Sequence, residues 1–454
     1  MFNLIYNLKK ILYNFVKILF KIIENIQSYL LGYHYENTTF VFSKEFNKPI
    51  ENYLQLINKF KKIKFQENFN QSINNLPQLL EEITFDGFGS QFNQPVDNLP
   101  LELKILKLGY GFNQPIDNLP KSLEKLTFTW DSCFNQSIDN LPPKLTVLKL
   151  SHDFVKSVDY LPKKLLYLMF SREFNNSIDN LPNSIRILIM GENFNKSLNN
   201  LPKFLQVLEL SMYFNQTINF LPIGLKTLKL GNSFYQPINN LPSGLTELYL
   251  NYPERIEPVN SMSRQNKDFN RIYTFKLSNL PESLKLLKIG SRFNLPIDNL
   301  PHSINHLDVG PDFNQPINYL PSSIINLVFG YSFNQQVDNL PSSIKKLVFG
   351  YSFNQQVDNL PSSIINLVFG YSFNQQVDNL PSSIINLVFG YSFNHPIDNL
   401  SNHVEYITLG ESFNQVINKL PKNFKQLKFL NNNNINKNSF VKKFNNNTIN
   451  IIFT

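Results

Sequence analysis

Six histidines, one cysteine and a regular series of aspartates are the residues with the greatest chemical potential in this chain, so their spacing is the first thing to weigh. Of His34, His152, His302, His306, His395 and His403, only His302 and His306 stand at a separation that metal ligands use. That separation puts two imidazoles on one face of a helix, and Pro301 argues against a helix there. Asp97, Asp117, Asp139, Asp159, Asp179, Asp298, Asp338, Asp358, Asp378 and Asp398 invite a calcium reading, and the series is continued by Asn at 199, 219, 239, 318 and 418. One carboxylate per repeat falls short of the roughly six to eight oxygens calcium takes. Turn capping by short polar side chains accounts for the series instead. Cys133 is alone, and no motif sets a His or Asn beside it. No glycine-rich phosphate loop or nucleophile elbow is present. The sequence therefore predicts no catalytic residue, no metal and no cofactor, and a non-enzymatic role.

The elements that would have to position such groups are set by a repeat. From Phe69 to Pro421 the chain reiterates F-N-Q-P-I-D-N-L-P-x-S-L-x-x-L-x-F-G-x-S, mostly with a period of 20 residues. A fixed period of this length marks a solenoid, in which recurring residues join neighbouring turns and varying ones are available for recognition. In the unit Leu320–Asn339, Pro321 disfavours helix, the stretch Asn326–Phe329 alternates as a short strand, and Gly330 ends it. Phe333, Val337 and Leu340 supply further inward apolar groups. Twenty residues cannot hold a strand, a two-turn helix and two connections. The expected fold is a β-rich solenoid, a right-handed coil of ~20-residue turns with one parallel concave sheet. Phe should stack on Phe from turn to turn, and Asn334 and Asn339 should saturate backbone groups left open by an extended core.

The phrases Phe92–Pro100 (FNQPVDNLP), Phe112–Pro120 (FNQPIDNLP) and Phe293–Pro301 (FNLPIDNLP) resemble the FNIP repeat, which is similar to leucine-rich repeats and associated with amoebae and their giant viruses. The resemblance covers roughly residues 46–430. It implies a leucine-rich-repeat-like coil and, since many members resemble adaptors that carry an F-box before the repeats, a ubiquitin-ligase component as partner. An F-box usually opens on Leu-Pro, and residues 1–45 hold no such dipeptide.

Three segments are expected: an amphipathic helical cap at 1–45, the solenoid at 46–430 with an irregular turn at 251–272, and an Asn/Lys-rich tail at 431–454. In residues 1–31, Leu4, Leu8, Ile11, Phe15, Leu19, Ile22, Ile26 and Leu30 make one helical face, while lysines recur too often for a membrane span. Such a helix suits capping of the solenoid edge, docking of a partner, or contact with a membrane surface. Two degenerate units are expected between Phe234 and Phe293, with a polar loop at 261–267, and Ile449–Phe453 is expected to add an edge strand.

The net charge of +8 lies in the ends, with +5 in residues 1–70 and +6 in 421–454, which leaves the array near −3. With only six Arg, that balance speaks against a nucleic-acid partner. Absence of a cysteine framework, and sequons that fall on the repeat Asn at 70, 135, 175, 195 and 215, point to a cytoplasmic setting. The variable positions carry the recognition signal. Val328, Val348, Val368 and Val388 form an apolar stripe on the concave sheet, with Asn326, Lys346, Asn366, Asn386 and Tyr406 as a companion row. These nine residues are the predicted surface for a protein partner.

Overall fold

The computed structural model describes residues 33–86, 89–251, 277, 279–430 and 450–453. These residues fall into two units, one ending at Ser211 and one beginning at Met212. Both are built from the same turn, which follows from the residue order. Proline after Leu removes a donor and holds the chain extended, and a tight turn follows in which the Ile324 N–H donates to the Pro321 carbonyl at 3.3 Å. The chain then enters a strand of three or four residues whose central Leu points inward. Past the strand, the coil returns through Phe, Ile or Val, and Leu, all directed at the same interior.

Unit 1 opens with an antiparallel hairpin, β1 (Tyr33–Glu36) and β2 (Thr39–Phe42), joined through Asn37 at φ 53°. The parallel ladder starts at β2, which pairs with β3 (Lys62–Phe65). It continues through β4 (Glu82–Phe85), β5 (Ile105–Leu108), β6 (Lys125–Phe128), β7 (Val147–Lys149), β8 (Tyr167–Met169), β9 (Ile187–Ile189) and β10 (Val207–Glu209). The sheet thus begins inside the segment expected to be a cap. The amphipathic helix expected at 1–31 lies outside the described residues. A 3-10 turn at Ile50–Tyr53 and one α-helical turn at Leu54–Ile57 occupy the longer 23-residue spacing near this end.

Unit 2 runs from β11 (Thr227–Lys229) and β12 (Glu247–Leu250) to β13 (Leu286–Ile289) and β14 (His306–Asp308). It continues with β15 (Asn326–Val328), β16 (Lys346–Val348), β17 (Asn366–Val368), β18 (Asn386–Val388), β19 (Tyr406–Leu409) and β20 (Gln426–Phe429). β21 (Asn450–Phe453) adds a parallel strand against β20, at the expected edge position. One expectation changes here. β12 pairs directly with β13, Glu247 opposite Leu286 and Leu250 opposite Ile289, so no strand of a worn turn stands between them. The stretch 255–272 carries no Leu-x-x-Leu-x-Phe series, and without it there is no apolar row to bury. Most of the irregular segment 251–272, and the tail to 449, lie outside the described residues.

Besides the sheet itself, two things hold the turns together. The first is aromatic stacking. Phe333, Phe353, Phe373, Phe393 and Phe413 stack at 6.1–6.2 Å, and Phe329, Phe349, Phe369 and Phe389 form a second column at 5.5–5.6 Å. Within a turn the columns meet, Phe349 lying 3.7 Å from Phe353. The second is an amide ladder. The Asn354 N–H donates to Asn334 Oδ1 at 2.9 Å, the Asn374 N–H donates to Asn354 Oδ1 at 2.8 Å, and Gln375 Nε2 donates to the same oxygen at 3.1 Å. The expectation for this first Asn is met. The second Asn behaves differently, since Asn359 Nδ2 donates to Asp338 Oδ1 at 3.1 Å, a side-chain rung on the outside of the coil. Of the aspartates that invited a calcium reading, Asp97, Asp117, Asp159, Asp179, Asp338, Asp358 and Asp378 are acceptors of that rung.

Glycine has one specific job here. A Cβ at Gly350 would sit 1.9 Å from the Gly330 carbonyl oxygen, so adjacent turns approach too closely for any side chain. The ladder generates a prediction. Asn354→Ala strands the Asn374 N–H and leaves the Gln375 amide only the Asn354 carbonyl, and should lower stability by about 1–3 kcal/mol in urea denaturation. Asn354→Asp keeps both acceptor contacts and should cost markedly less; equal losses would show that the ladder is incidental.

Candidate interaction surface

Strand residues alternate, so the odd partners of each buried Leu face away from the core. On β15 to β18 these are Asn326 and Val328, Lys346 and Val348, Asn366 and Val368, and Asn386 and Val388. Register sets Val328 opposite Val348, Val348 opposite Val368, and Val368 opposite Val388. The companion row passes from Asn326 through Lys346, Asn366 and Asn386 to Tyr406. All nine predicted residues therefore lie on one contiguous open face. The valines are half-buried, whereas Lys346 and Tyr406 are exposed. Asn386 Nδ2 donates to Asn366 Oδ1 at 2.6 Å, so the amide row is partly satisfied along the sheet.

Two sets of residues escaped the sequence reading. Ile325, Lys345, Ile365 and Ile385 sit just before their strands and extend the face along its leading rim. Tyr331, Tyr351, Tyr371 and Tyr391 stack at 4.5 Å in a column just beyond the strands. Tyr331 is 55% exposed and the others about 40%, although they recur as regularly as the buried Phe. The Gly-Tyr-Ser triplet was visible in the sequence. Its exposure was not, because repetition signals stacking without saying on which side.

His302 and His306 do not converge. His302 is exposed in the turn after Leu-Pro, and His306 lies half-buried on β14. Burial, with Lys288 nearby, holds the His306 imidazole below its usual range despite Asp308. Cys133 is half-buried beside Tyr110, whose phenol it pushes up. Among the described residues, no three His, Cys, Asp or Glu side chains gather as a metal-holding group. Among the same residues, no helix is long and apolar enough to cross a membrane.

Over the first strands of unit 1 the open face is charged, whereas from Val328 to Val388 of unit 2 it carries the valine stripe. Glu81 accepts from Lys61 at 2.6 Å and from Lys104 at 2.9 Å, one lysine from each flanking turn. Glu82 pairs with Lys62 at 3.2 Å and with Lys107 at 3.0 Å in the next row. With Glu36, Thr84 and Asp86, several of these residues line a shallow depression over the first strands. The two lysine hydrogen bonds hold the Glu81 carboxyl down at about 2.

A coil of 20-residue turns with one parallel sheet and a Leu/Phe interior defines a leucine-rich-repeat-type solenoid. The FNIP Repeat model matches residues 92–129, 174–253 and 269–412 in overlapping copies, and the chain belongs to that family. Among solved structures, the crystal structure of CroV588, described as a novel circular LRR protein, is 33% identical with a TM-score of 0.70. The match covers 87% of this chain and 67% of that one. YopM from Yersinia enterocolitica WA-314 is 18% identical with a TM-score of 0.48, over 82% of this chain and 87% of that one. No curated protein matches the chain.

The charged network carries its own pH test. A carboxyl depressed in the fold contributes stability above its unfolded value, near 4.5, and loses it as pH falls toward 2. The stability difference between the native chain and Glu81→Gln should be present at neutral pH, shrink through that window and vanish near its lower end. It should also shrink at high salt, because the pairs are exposed. A thermal-melting series that shows a pH-independent difference would reject this assignment.

Proposed function

We propose that the chain is a non-enzymatic protein–protein interaction scaffold, with the partner held on the open face of the parallel sheet from Asn326 to Tyr406. The observation that carries this reading is the in-register valine stripe, Val328 to Val388, laid beside an amide and lysine row, all of them half-buried or exposed among the described residues. Apolar side chains kept in line over four turns serve recognition better than solubility. Buried recurring residues give the rigid support, and a rigid sheet lets a partner dock without ordering the surface first.

A cytoplasmic setting goes with this reading. The sequon residues Asn70, Asn135, Asn175 and Asn215 accept main-chain N–H groups from the following turn at 2.9–3.1 Å, so a glycan on them would abut the ladder. The finer reading, a ubiquitin-ligase substrate adaptor, adds a docking role for residues 1–31. That segment also has the basic amphipathic pattern suited to a membrane surface.

Affinity capture with the full chain and with residues 1–32 removed separates these roles, since this cut spares the first hairpin. Selective loss of a ligase scaffold supports the adaptor, and selective loss of vesicle binding supports membrane contact. Loss of neither leaves the segment as a cap. Replacing both Val348 and Val368 with Asp should abolish partner capture while circular dichroism stays unchanged, because Asp308 already occupies the equivalent position beside Val328. Undiminished capture by that variant would remove the stripe from the binding surface.

A further inference from the structure

Charge is sorted within unit 2 in a way that its totals conceal. Its described residues hold eleven Lys or Arg and eleven Asp or Glu, a neutral balance. On the open face and its leading rim, however, four turns each present a lysine pair: Lys226 with Lys229, Lys285 with Lys288, Lys345 with Lys346, and Lys425 with Lys428. Only Glu247, Asp308 and Glu405 oppose them there. The compensating acids lie half a turn away, where Asp338, Asp358 and Asp378 accept from Asn359, Asn379 and Asn399 of the next turn. A neutral unit thus turns a positive face outward and a negative edge to the other side.

Two lysine pairs bracket the part of the open face on β17 to β19. Lys346 on β16, with Lys345 just before it, stands on one side, and Lys428 on β20, with Lys425 just before it, on the other. Between them lie Val368, Val388, Tyr406 and Thr408. Glu405 accepts from Lys425 at 2.7 Å and moderates that end, while Lys428 shares the row of Thr408. Four strand spacings of ~4.8 Å make about 19 Å, the length of roughly six extended residues.

We infer that the partner of this face is an extended acidic polypeptide segment, with two acidic clusters separated by about six residues that bear apolar side chains. The inference rests on the open-face reading above and adds the chemistry of what binds. Apolar side chains meet the valine stripe, acidic ones meet the bracketing lysines, and facing opposite charges speed association and fix register. The imidazole of His306 is held down mainly by burial, with Lys288 and Lys346 adding to the effect and Asp308 opposing it. Tyr249, with Lys229 and Lys288 at 5.3 and 6.0 Å from its ring, extends the basic face toward the other end of the unit.

The test is fluorescence anisotropy with the full chain and three labelled probes. These are a peptide with two Glu pairs flanking a six-residue Leu/Thr spacer, the same peptide with Gln for Glu, and an oligothymidylate. The decisive variant is Lys345→Ile, Lys346→Asn and Lys428→Thr, which installs the residues that flanking turns already carry and so preserves the fold. The Glu peptide should bind best, weaken with salt, and lose about ten-fold in affinity to the variant at low salt. Equal binding of the Gln peptide would overturn the charge assignment yet leave the open face as a docking surface. No binding by either peptide would count against both. Preference for oligothymidylate, or affinity unmoved by the variant, would also overturn it.

Discussion

An extended coil has to find partners for backbone N–H groups that a helix would satisfy internally, and the structure depends on how this chain meets that constraint. In the strand the neighbouring turn supplies them. Outside the strand the Asn of each F-N-Q triplet does so, its Oδ1 accepting the N–H of the next Asn and the amide of the next Gln. A donor left unpaired in such a position would cost about as much as a single turn can spare. Everything else in the repeat is compatible with that rung: glycine where the turns approach most closely, proline where no donor is wanted, and serine Oγ donating to the preceding turn at 2.6 Å.

Phenylalanine does the complementary work. A 20-residue turn encloses little volume, and two Phe columns with rows of Leu, Ile and Val fill it without room for a helix. Stacked rings add roughly 0.5–1.5 kcal/mol per pair beyond the area they bury. Such a core depends on neighbours, because each ring is covered from both sides by the turns before and after. That is also why β12 joins β13 directly. The stretch 255–272 lacks the apolar series that a rung needs, and β13 is the strand that pairs with β12.

The recurrence rule was a good guide with one instructive exception. Recurring Phe, Leu, Asn, Ser and Gly all serve to join turns, and the varying positions fall on the open face. The tyrosines at 331, 351, 371 and 391 recur and stack, yet remain exposed. A residue can thus bind its own copies and still face solvent, so repetition alone separates building from recognition only where burial agrees. The nine residues read as a recognition surface needed no such correction for position, because strand alternation determines face once the strand is located. The half-buried state of the valines was not foreseeable, since it depends on the strands that the coil sets beside each one.

What the sequence determined by itself was local and periodic. It specified the 20-residue turn, the strand around each Leu, the Phe stack and the family, because those depend on residue types at fixed separations. What only the tertiary structure decided was which distant residues share a side. The pairing of Asn359 with Asp338 in place of backbone, the direct contact of β12 with β13, and the sorting of lysines from aspartates all arise from the coil setting residues 20 or 40 apart side by side while holding those 10 apart on opposite faces. A linear count of charge averages over that distance, and the folded turn does not.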